Sequence, residues 1–346
     1  MLPSLTTKRM SGVRRVALVT GATGAIGPAL VEGLREGGYS VRVLVRPGFA
    51  SRTVPPDVEA VVGDLCDRRA LGKAVAGVHT VFHLAAKLHG EIGDPDPAAR
   101  ADYERVNVDA TRHLVEASEL EGVRRFVYFS TIGVYGPSRP GEIHDEASPL
   151  RPQSLYAMTK LRGEEHVLRA PRGVVLRLAA VYGPRLKGNY RRLVRAIERG
   201  FFVEIGPGTN RRTLVHEHDV VRATLLAAQH ETAGMIYNVT DGRVHTVRDI
   251  LRAIASAVGR PLLPGHVPAA PVRLLAGVLE GVLSVAGRKS PICRGAVDKL
   301  LEDVAVSGDK IQEELGFLPV FDLDGGWRQA VGDPRRPKSN RRRGEV

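Results

Sequence analysis

A tyrosine and a lysine stand four positions apart, at Tyr156 and Lys160, in a segment with the pattern of a helix. Side chains at positions i and i+4 share a helix face, so the phenol and the ammonium can meet over one substrate atom. A neighbouring ammonium favours the phenolate and lowers the pKa of a tyrosine from its usual value of about 10. The pair therefore predicts an acid/base that moves a proton on or off an alcohol or ketone oxygen.

A glycine-rich turn near the N-terminus predicts a nucleotide site to accompany this proton transfer. An apolar run ending at Thr20 leads into three closely spaced glycines, Gly21, Gly24 and Gly27. A segment with helical spacing follows over residues 29–34. Strand, glycine turn and helix in this order indicate a dinucleotide site, because the glycines let the backbone approach a pyrophosphate at the helix N-terminus. The alternative interpretation is a tight turn that binds nothing.

The end of the next predicted strand bears on which nicotinamide cofactor would bind. This strand covers residues 41–45 and is followed by Arg46, and no acidic residue occurs from 41 to 50. Sites for unphosphorylated NAD usually place Asp or Glu here, on the ribose 2′-hydroxyl. A guanidinium suits a 2′-phosphate instead. We therefore expect NADP(H) to be favoured, with NAD(H) possible; the alternative is that Arg46 only solvates the strand end.

Strand and helix patterns alternate through the first 180 residues or so, which predicts an α/β fold with a Rossmann-type, doubly wound parallel sheet. The expected strands after the first two cover residues 58–62, 80–84, 125–129 and 173–178. The expected helices between them cover residues 68–76, 98–121 and 154–168. Ligands of such sheets gather outside the carboxyl ends of the strands. Four candidate residues lie at such ends: Gly21, Asp64, Ala85 and Thr131.

The second half of the chain is less regular. We expect helices over 190–200, 247–258 and 272–286, and a loop-strand-loop over 209–219. The domain division follows as an N-terminal extension (1–13), a mainly dinucleotide-binding domain (14–182), a mainly substrate-binding α/β region (183–330) and a basic disordered tail (331–346). The apolar helix over 272–286 is expected to pack internally or in a dimer, and a membrane-surface role is the alternative.

Composition limits the remaining function classes. The chain has 346 residues, a net charge of +12 and two cysteines, Cys66 and Cys293. Two cysteines give no disulfide framework or metal cluster, and without an apolar leader segment we expect a cytoplasmic protein. Part of the positive charge lies in the segment 334–343, which we interpret as a solvated tail rather than a site for nucleic acid or anionic lipid.

Together these motifs resemble those of the extended short-chain dehydrogenase/reductases, and in particular the sugar-nucleotide epimerase/dehydratase group. The resemblance covers roughly residues 14–330 and rests on the glycine turn and on the segments 63–65, 83–86, Asn107, 129–136, 156–160 and 181–184. The segments 182–189 and 210–215 look most like a bacterial surface-polysaccharide branch of 4-epimerases and 4-ketoreductases. The resemblance implies a homodimer acting on a small-molecule nucleotide sugar, with no role for nucleic acid.

The resemblance also implies roles for individual residues. The catalytic set would be Thr131, Tyr156 and Lys160, with the Thr131 hydroxyl on the substrate oxygen and Lys160 also on the nicotinamide ribose. The diphosphate would contact Arg212, and Asn189 would reach the nucleotide. The cofactor site, in which Asp64 would hold the adenine amino group, would be built from Gly21, Thr23, Gly24, Ala25, Ile26, Gly27, Arg46, Asp64, Leu65, Leu84, Ala85, Ala86, Asn107, Ser130, Tyr156, Lys160 and Val181.

Some positions depart from the family pattern. The 4,6-dehydratases of the family have Asp-Glu after the catalytic threonine, whereas this chain has Ile132 and Gly133, which argues against water elimination. Ala180 stands where epimerases often have Asn, and Arg294 is a weak candidate for their late nucleotide-binding arginine. His216 and His218 could suggest a metal pair, but we interpret them as ordinary polar groups because no third ligand accompanies them.

Three interpretations of function remain open. The first is hydride transfer at a nucleotide sugar, either as an epimerase that keeps its cofactor or as a reductase that exchanges it. The second keeps the chemistry but takes a lipophilic substrate of the hydroxysteroid or β-keto-acid type. The third is a sensor or scaffold that binds NADP(H) without turnover, and an intact Thr131, Tyr156 and Lys160 set argues against it.

Overall fold

The structure is a computed structural model that describes residues 15–48, 54–88, 97–185, 188–200, 202–230, 233–263, 265–285 and 294–332. The strands are β1 (Val16–Thr20), β2 (Ser40–Val45), β3 (Glu59–Val62), β4 (Thr80–His83), β5 (Arg125–Thr131), β6 (Gly173–Leu178), β7 (Ala180–Tyr182), β8 (Glu204–Ile205), β9 (Arg211–His216), β10 (Met235–Val239), β11 (Val244–Thr246) and β12 (His266–Val267).

The α-helices are α1 (Gly27–Glu36), α2 (Arg68–Val75), α3 (Pro97–Tyr103), α4 (Ala110–Leu120), α5 (Leu155–Arg169), α6 (Gly188–Glu198), α7 (Glu217–Gln229), α8 (Val247–Val258), α9 (Ala269–Val285), α10 (Arg294–Leu301), α11 (Asp309–Leu315) and α12 (Leu323–Val331). A π-helical segment, Glu104–Asp109, joins α3 to α4, and a 3₁₀ turn, Ile132–Val134, follows β5.

The main sheet contains seven parallel strands in the spatial order β10-β6-β5-β4-β1-β2-β3. Its central strands are apolar and buried on both sides, as expected when helices cover both faces of a parallel sheet. One face packs against α1, α7 and α11, and the other packs against α2, α4 and α5. The predicted Rossmann-type, doubly wound fold is therefore confirmed.

A second apolar core lies in the later part of the chain. Helices α6 and α8 pack with α12, which carries the fully buried Trp327. The Trp327 ring stacks on Tyr182 with ring centres 4.6 Å apart. Strands β7, β9 and β11 form a small sheet beside this core, and β8 pairs with β12. This region stands at the carboxyl edge of the main sheet, because β7 continues directly from β6.

Two of the differences from the sequence-based expectation affect the main sheet. The loop expected at the end of segment 209–219 is wrong, because α7 begins at Glu217 with His216 as its N-cap. Strand β10 was not expected, yet it forms one edge of the main sheet beside β6. The second half of the chain thus supplies one strand and two covering helices to the main sheet, and the predicted domain division stays a prediction.

Helix α9 is long and mostly apolar, and most of its described side chains are exposed. Within the described residues, no helix combines the length and apolar character needed to cross a membrane.

Candidate active site

The glycine turn after β1 is packed too tightly for any side chain at its first and last glycines. Gly21 has φ +75°, and an ideal Cβ there would lie 2.6 Å from the amide nitrogen of Ala85. An ideal Cβ on Gly27 would lie 2.3 Å from the carbonyl oxygen of Ala22. Both positions therefore require glycine, and Gly21 brings the turn against the residues that follow β4.

The N-terminus of α1 fits an anionic group. Its N-cap residue, Ile26, provides no side-chain hydrogen bond to the first turn. The backbone N–H groups of the first helical turn therefore have no side-chain cap. Together with the positive end of the helix dipole, they favour binding of a phosphate. Thr23, Gly24 and Ala25 are half-buried within the turn. The turn is thus suited to hold the pyrophosphate of a dinucleotide.

The predicted adenosine contacts lie at the ends of neighbouring strands. Arg46 is exposed directly after β2, next to the glycine turn in the sheet order. Asp64 is exposed after β3, and its carboxylate accepts a hydrogen bond of 2.7 Å from the amide of Cys66. Leu65 beside it is half-buried. These positions are open to solvent at the carboxyl edge, where such ligands bind.

The end of β4 is held by a buried histidine. The His83 ring bonds the Thr20 hydroxyl at 2.6 Å and the Thr111 hydroxyl at 3.0 Å. Burial, and then the charge of Lys160, keep the pKa of His83 well below its usual range, so the ring is neutral. The following residues, Leu84, Ala85 and Ala86, are half-buried along the same edge. His83 thus fixes β4 to β1 where the cofactor is expected.

Asn107 connects this edge to the helix that carries the tyrosine and lysine. Its amide donates to the Thr159 hydroxyl at 3.0 Å and to the Lys87 carbonyl at 3.1 Å, and its Oδ1 accepts from the Lys87 amide at 2.7 Å. It lies in the π-helical segment and is buried. Because Thr159 precedes Lys160 in α5, Asn107 sets the position of that helix turn relative to β4.

Helix α5 begins one residue before Tyr156, with the Ser154 hydroxyl accepting from the Ala157 amide at 3.2 Å. Tyr156 is half-buried in the first turn, and Lys160 is buried one turn later. The Lys160 ammonium lies 3.7 Å from the ring centre of Tyr128, a cation–π contact from β5. The fold therefore presents the predicted pair on one helix face at the edge of the sheet.

The ionisation of the pair differs from the prediction. Burial, and then the neighbouring Tyr103, raise the pKa of Tyr156 to about 12. Burial lowers the pKa of Lys160 to about 7, opposed by the charge of Glu164. The expectation that Lys160 lowers the pKa of Tyr156 is therefore wrong for this structure. Both groups lose water, which disfavours the charged form of each.

Thr131 ends β5 at the same corner. Its hydroxyl oxygen accepts a hydrogen bond of 3.1 Å from the Gly133 amide and so caps the short 3₁₀ turn. An ideal Cβ on Gly133 would lie 3.3 Å from the Thr131 hydroxyl and 3.6 Å from the Cβ of Ala157. Thr131 and the first turn of α5 are therefore close neighbours across Gly133. The preceding Ser130 is buried and faces α5.

The predicted substrate contacts come from the later part of the chain. The Arg212 guanidinium donates to the carbonyl oxygens of Lys299, Leu300 and Glu302, at the C-terminal end of α10. Burial lowers the pKa of Arg212. Its proposed diphosphate contact stays a prediction, as do the roles of Asn189, exposed at the start of α6, and Val181, half-buried in β7.

The histidine pair belongs to the packing of the chain. His216 stacks on Phe321 with ring centres 3.9 Å apart, and burial followed by the neighbouring His218 lowers its pKa to about 4. In the part of the chain that the structure describes, His, Cys, Asp and Glu form no group of three or more that could hold a metal ion.

Several residues of this corner were missed by sequence reasoning. Tyr103 is buried and acts electrostatically on Tyr156, and Lys87 forms a 2.6 Å ion pair with Asp102 beside it. Glu164 and Arg177 form a buried ion pair behind Lys160. The sequence does contain a signal for this pair. Glu164 continues the four-residue spacing from Lys160, and Arg177 is a charge inside an apolar strand.

Comparisons with known proteins agree with this geometry. Residues 17–240 match the model of the NAD dependent epimerase/dehydratase family. The chain is 30% identical to a 4-hydroxy-2-methyl-3-oxo-4-farnesyl-3,4-dihydroquinoline-1-oxide ketoreductase of Stigmatella aurantiaca, over 86% of this chain and 90% of that protein. It is 27% identical to the N-acetyl-alpha-D-glucosaminyl-diphospho-ditrans,octacis-undecaprenol 4-epimerase of Escherichia coli O157:H7, over 89% and 92%.

A solved structure shows the same likeness in three dimensions. The UDP-glucose 4-epimerase of Thermus thermophilus, in complex with NAD, superposes with a TM-score of 0.72 and is 28% identical, covering 91% of this chain and 97% of that one.

Proposed function

The chain belongs to the NAD-dependent epimerase/dehydratase family, an oxidoreductase-type family with a nicotinamide cofactor, and we propose that it transfers a hydride at C4 of a nucleotide-diphosphate sugar. It would act as a 4-epimerase or a 4-ketoreductase. Support for the sugar comes from the 4-epimerases among its relatives. The residues Ile132 and Gly133 provide no acid where a dehydratase needs one, which argues against water elimination.

The observation that carries the proposal is the shared corner of Thr131, Tyr156 and Lys160. These side chains come from the end of β5 and the start of α5, beside the strand end that packs on the glycine turn. A proton donor and a hydride carrier must act on one carbon–oxygen bond, so their sites must adjoin. That arrangement has no purpose in a protein that only binds the cofactor.

The chemical roles follow from the protonation states. A nicotinamide cofactor held at the glycine turn would supply the hydride chemistry. Tyr156 exchanges the proton of the sugar oxygen, and Thr131 holds that oxygen by a hydrogen bond. With a pKa raised to about 12, Tyr156 is a neutral phenol at pH 7 and is ready to donate a proton to a ketone. Lys160 then stabilises the phenolate that remains, provided that it is protonated.

Cofactor preference depends on Arg46. Arg46 is exposed directly after β2, and the sequence contains no Asp or Glu from position 41 to 56, which supports NADP(H) over NAD(H). Titration with NADPH and NADH, followed by nucleotide fluorescence, tests the preference. We expect tighter binding of NADPH and a loss of that difference in Arg46→Ala. Tighter binding of NADH by the unchanged protein would refute it.

A second candidate function keeps the same chemistry on a lipophilic ketone. Two observations favour it: a relative at 30% identity is a ketoreductase of a farnesyl compound, and Leu274 and Leu275 of α9 are exposed. The Arg212 guanidinium, which a sugar diphosphate would need, is bonded to three backbone carbonyls. This candidate would be an NADP-dependent reductase.

One incubation separates these functions. The protein is mixed with UDP- and dTDP-sugars, with 4-keto sugars, and with a long-chain 3-oxo acid, each with and without NADPH. Sugar interconversion without added cofactor indicates an epimerase, and NADPH loss with a 4-keto sugar indicates a ketoreductase. NADPH loss with the 3-oxo acid alone would replace the sugar proposal with the second candidate. The same preparation, analysed by light scattering, tests the predicted homodimer.

A further inference from the structure

A row of three functional side chains runs along one face of α5. Tyr156, Lys160 and Glu164 follow each other at intervals of four residues, so they share this face. The last of them forms an ion pair with Arg177 of β6, at 2.7 Å from the guanidinium Nη2 to Glu164 Oε2. The Arg177 Nε also donates to both carboxylate oxygens, at 3.1 and 3.2 Å. The contact is therefore a bidentate ion pair.

The pair is buried and its hydrogen bonds extend through the catalytic corner. The Ser130 hydroxyl, adjacent to Thr131 in β5, also donates to the Glu164 carboxylate. On its other side, the Arg177 Nη1 donates to the Tyr135 hydroxyl at 2.8 Å, and that hydroxyl donates to Asn238 Oδ1 of β10 at 2.8 Å. The network thus joins α5 to three adjacent strands at the active edge.

Stability alone does not account for an ion pair in this place. The side chains of Arg177 and Glu164 are 2% and 1% exposed, so both charges have been removed from water. Such pairs are often no more stabilising than apolar residues of similar volume. Their position directly behind Lys160 suggests an electrostatic task instead.

The groups around Lys160 leave Glu164 as the charge that opposes the effect of burial. Tyr128 lies under the ammonium, and neutral His83 faces it from β4. The neutral phenol of Tyr156 stands one turn earlier on the same helix, with Tyr103 beside that phenol. Among these neighbours Glu164 raises the pKa of Lys160. Arg177 of β6 pairs with the Glu164 carboxylate.

We propose that Glu164 is a positioning residue that favours the charged form of the Lys160 side chain, and that Arg177 and Ser130 hold Glu164 for this task. The proposal rests on the proposed function, because a charged Lys160 matters only if Tyr156 transfers a proton. Glu164 does not touch the substrate and acts through Lys160.

The first test measures the protonation of Lys160 without turnover. The full-length protein is labelled with trace acetic anhydride between about pH 5 and 11, a range that spans the titration of a buried or an exposed amine. Mass spectrometry then gives the labelling midpoint of Lys160, with exposed Lys73 as the internal reference. In Glu164→Gln we expect the Lys160 midpoint to move to lower pH by about one unit.

The matched control is Glu165→Gln, which makes the same change at the next, exposed position of the helix. Its Lys160 midpoint should match that of the unchanged protein. An unchanged midpoint in Glu164→Gln, or an equal shift in both variants, would overturn the proposal. This outcome is distinct from failure of the proposed function, which would appear as absence of turnover with every substrate tested.

A second test separates positioning from folding. Arg177→Met leaves a buried carboxylate without its partner and is expected to lower the unfolding temperature. The double variant Glu164→Gln/Arg177→Met removes both charges and should recover part of the lost unfolding temperature. A purely structural role predicts that the Lys160 midpoint recovers as well. We expect the Lys160 labelling midpoint of the double variant to stay at the lower pH. Its return to the value of the unchanged protein would refute the proposal.

Discussion

The catalytic corner and the region around α9 and α10 are built in opposite ways. In the corner, polar side chains are buried and bonded to one another, and Lys160 is 1% exposed. In α9, apolar side chains face solvent, with Leu274 65% and Leu275 69% exposed. The first region thus hides charge, and the second leaves apolar surface uncovered.

From this difference we infer that the buried corner serves the chemical step and that the α9 and α10 region serves substrate choice. The polar groups of the corner lie on strand ends and on α5. The main sheet therefore fixes the distances between these side chains. The α9 and α10 region contacts the rest through the short β8–β12 pair that precedes α9 and through the Arg212 hydrogen bonds. Families that keep one reaction while changing substrates vary such peripheral segments. We therefore expect changes in the corner to affect rate and changes outside it to affect substrate binding.

The largest expected effect is that of Tyr156→Phe. The substitution keeps the ring but deletes the proton carrier, so kcat with the active substrate should fall by about 10²- to 10⁴-fold. Binding of NADPH, measured by fluorescence, should change little. Tyr39→Phe is the control, because Tyr39 packs on Phe82 away from the corner. Near-normal turnover of Tyr156→Phe would contradict the role of the corner.

The next prediction concerns stability against pH. Burial lowers the pKa of Lys160 to about 7, whereas a lysine in the unfolded chain titrates near about 10.4. Between these values the unfolded chain binds a proton that the folded protein lacks. The free energy of unfolding should therefore rise with pH in this window, by at most about 1.4 kcal/mol per unit from this group.

Urea unfolding at several pH values within that window measures this slope. Lys160→Met should remove it, and Lys73→Met, at an exposed position of α2, should not. Equal slopes in the three proteins would mean that Lys160 is not held in the buried, low-pKa state that distinguishes the corner.

The sequence predicted the corner better than the outer region for a physical reason. Apolar strand runs, glycines and the four-residue spacing of Tyr156 and Lys160 are local signals, and they placed both the sheet and its active edge. The ionisation of Tyr156 was not predictable, because it depends on burial and on the charge of the neighbouring Tyr103, both of which only the fold creates. Strand β10 was missed because its pairing with β6 joins distant parts of the chain.

A smaller effect is expected at Arg212. Arg212→Met removes a charged donor from three carbonyls at the end of α10, which should cost about 1–3 kcal/mol in the free energy of unfolding. If the corner is independent, kcat stays near normal while KM for a nucleotide sugar rises. Arg199→Met, exposed directly after α6, is the control. An unchanged free energy of unfolding would show that the guanidinium does not hold α10.

The smallest effect on stability is expected from Leu274→Ser combined with Leu275→Ser. Replacing a side chain that already faces water by a polar one costs little. The free energy of unfolding should therefore change by no more than about 0.5 kcal/mol. Leu120→Ser, at an exposed position of α4, is the control and should show a change of the same size. Rates with nucleotide sugars should not change, whereas KM for a lipophilic ketone should rise if α9 contacts it. A loss of more than about 2 kcal/mol is the size expected for a buried leucine. It would mean that α9 is covered in solution, and that the contrast between the two regions is smaller than their exposure indicates.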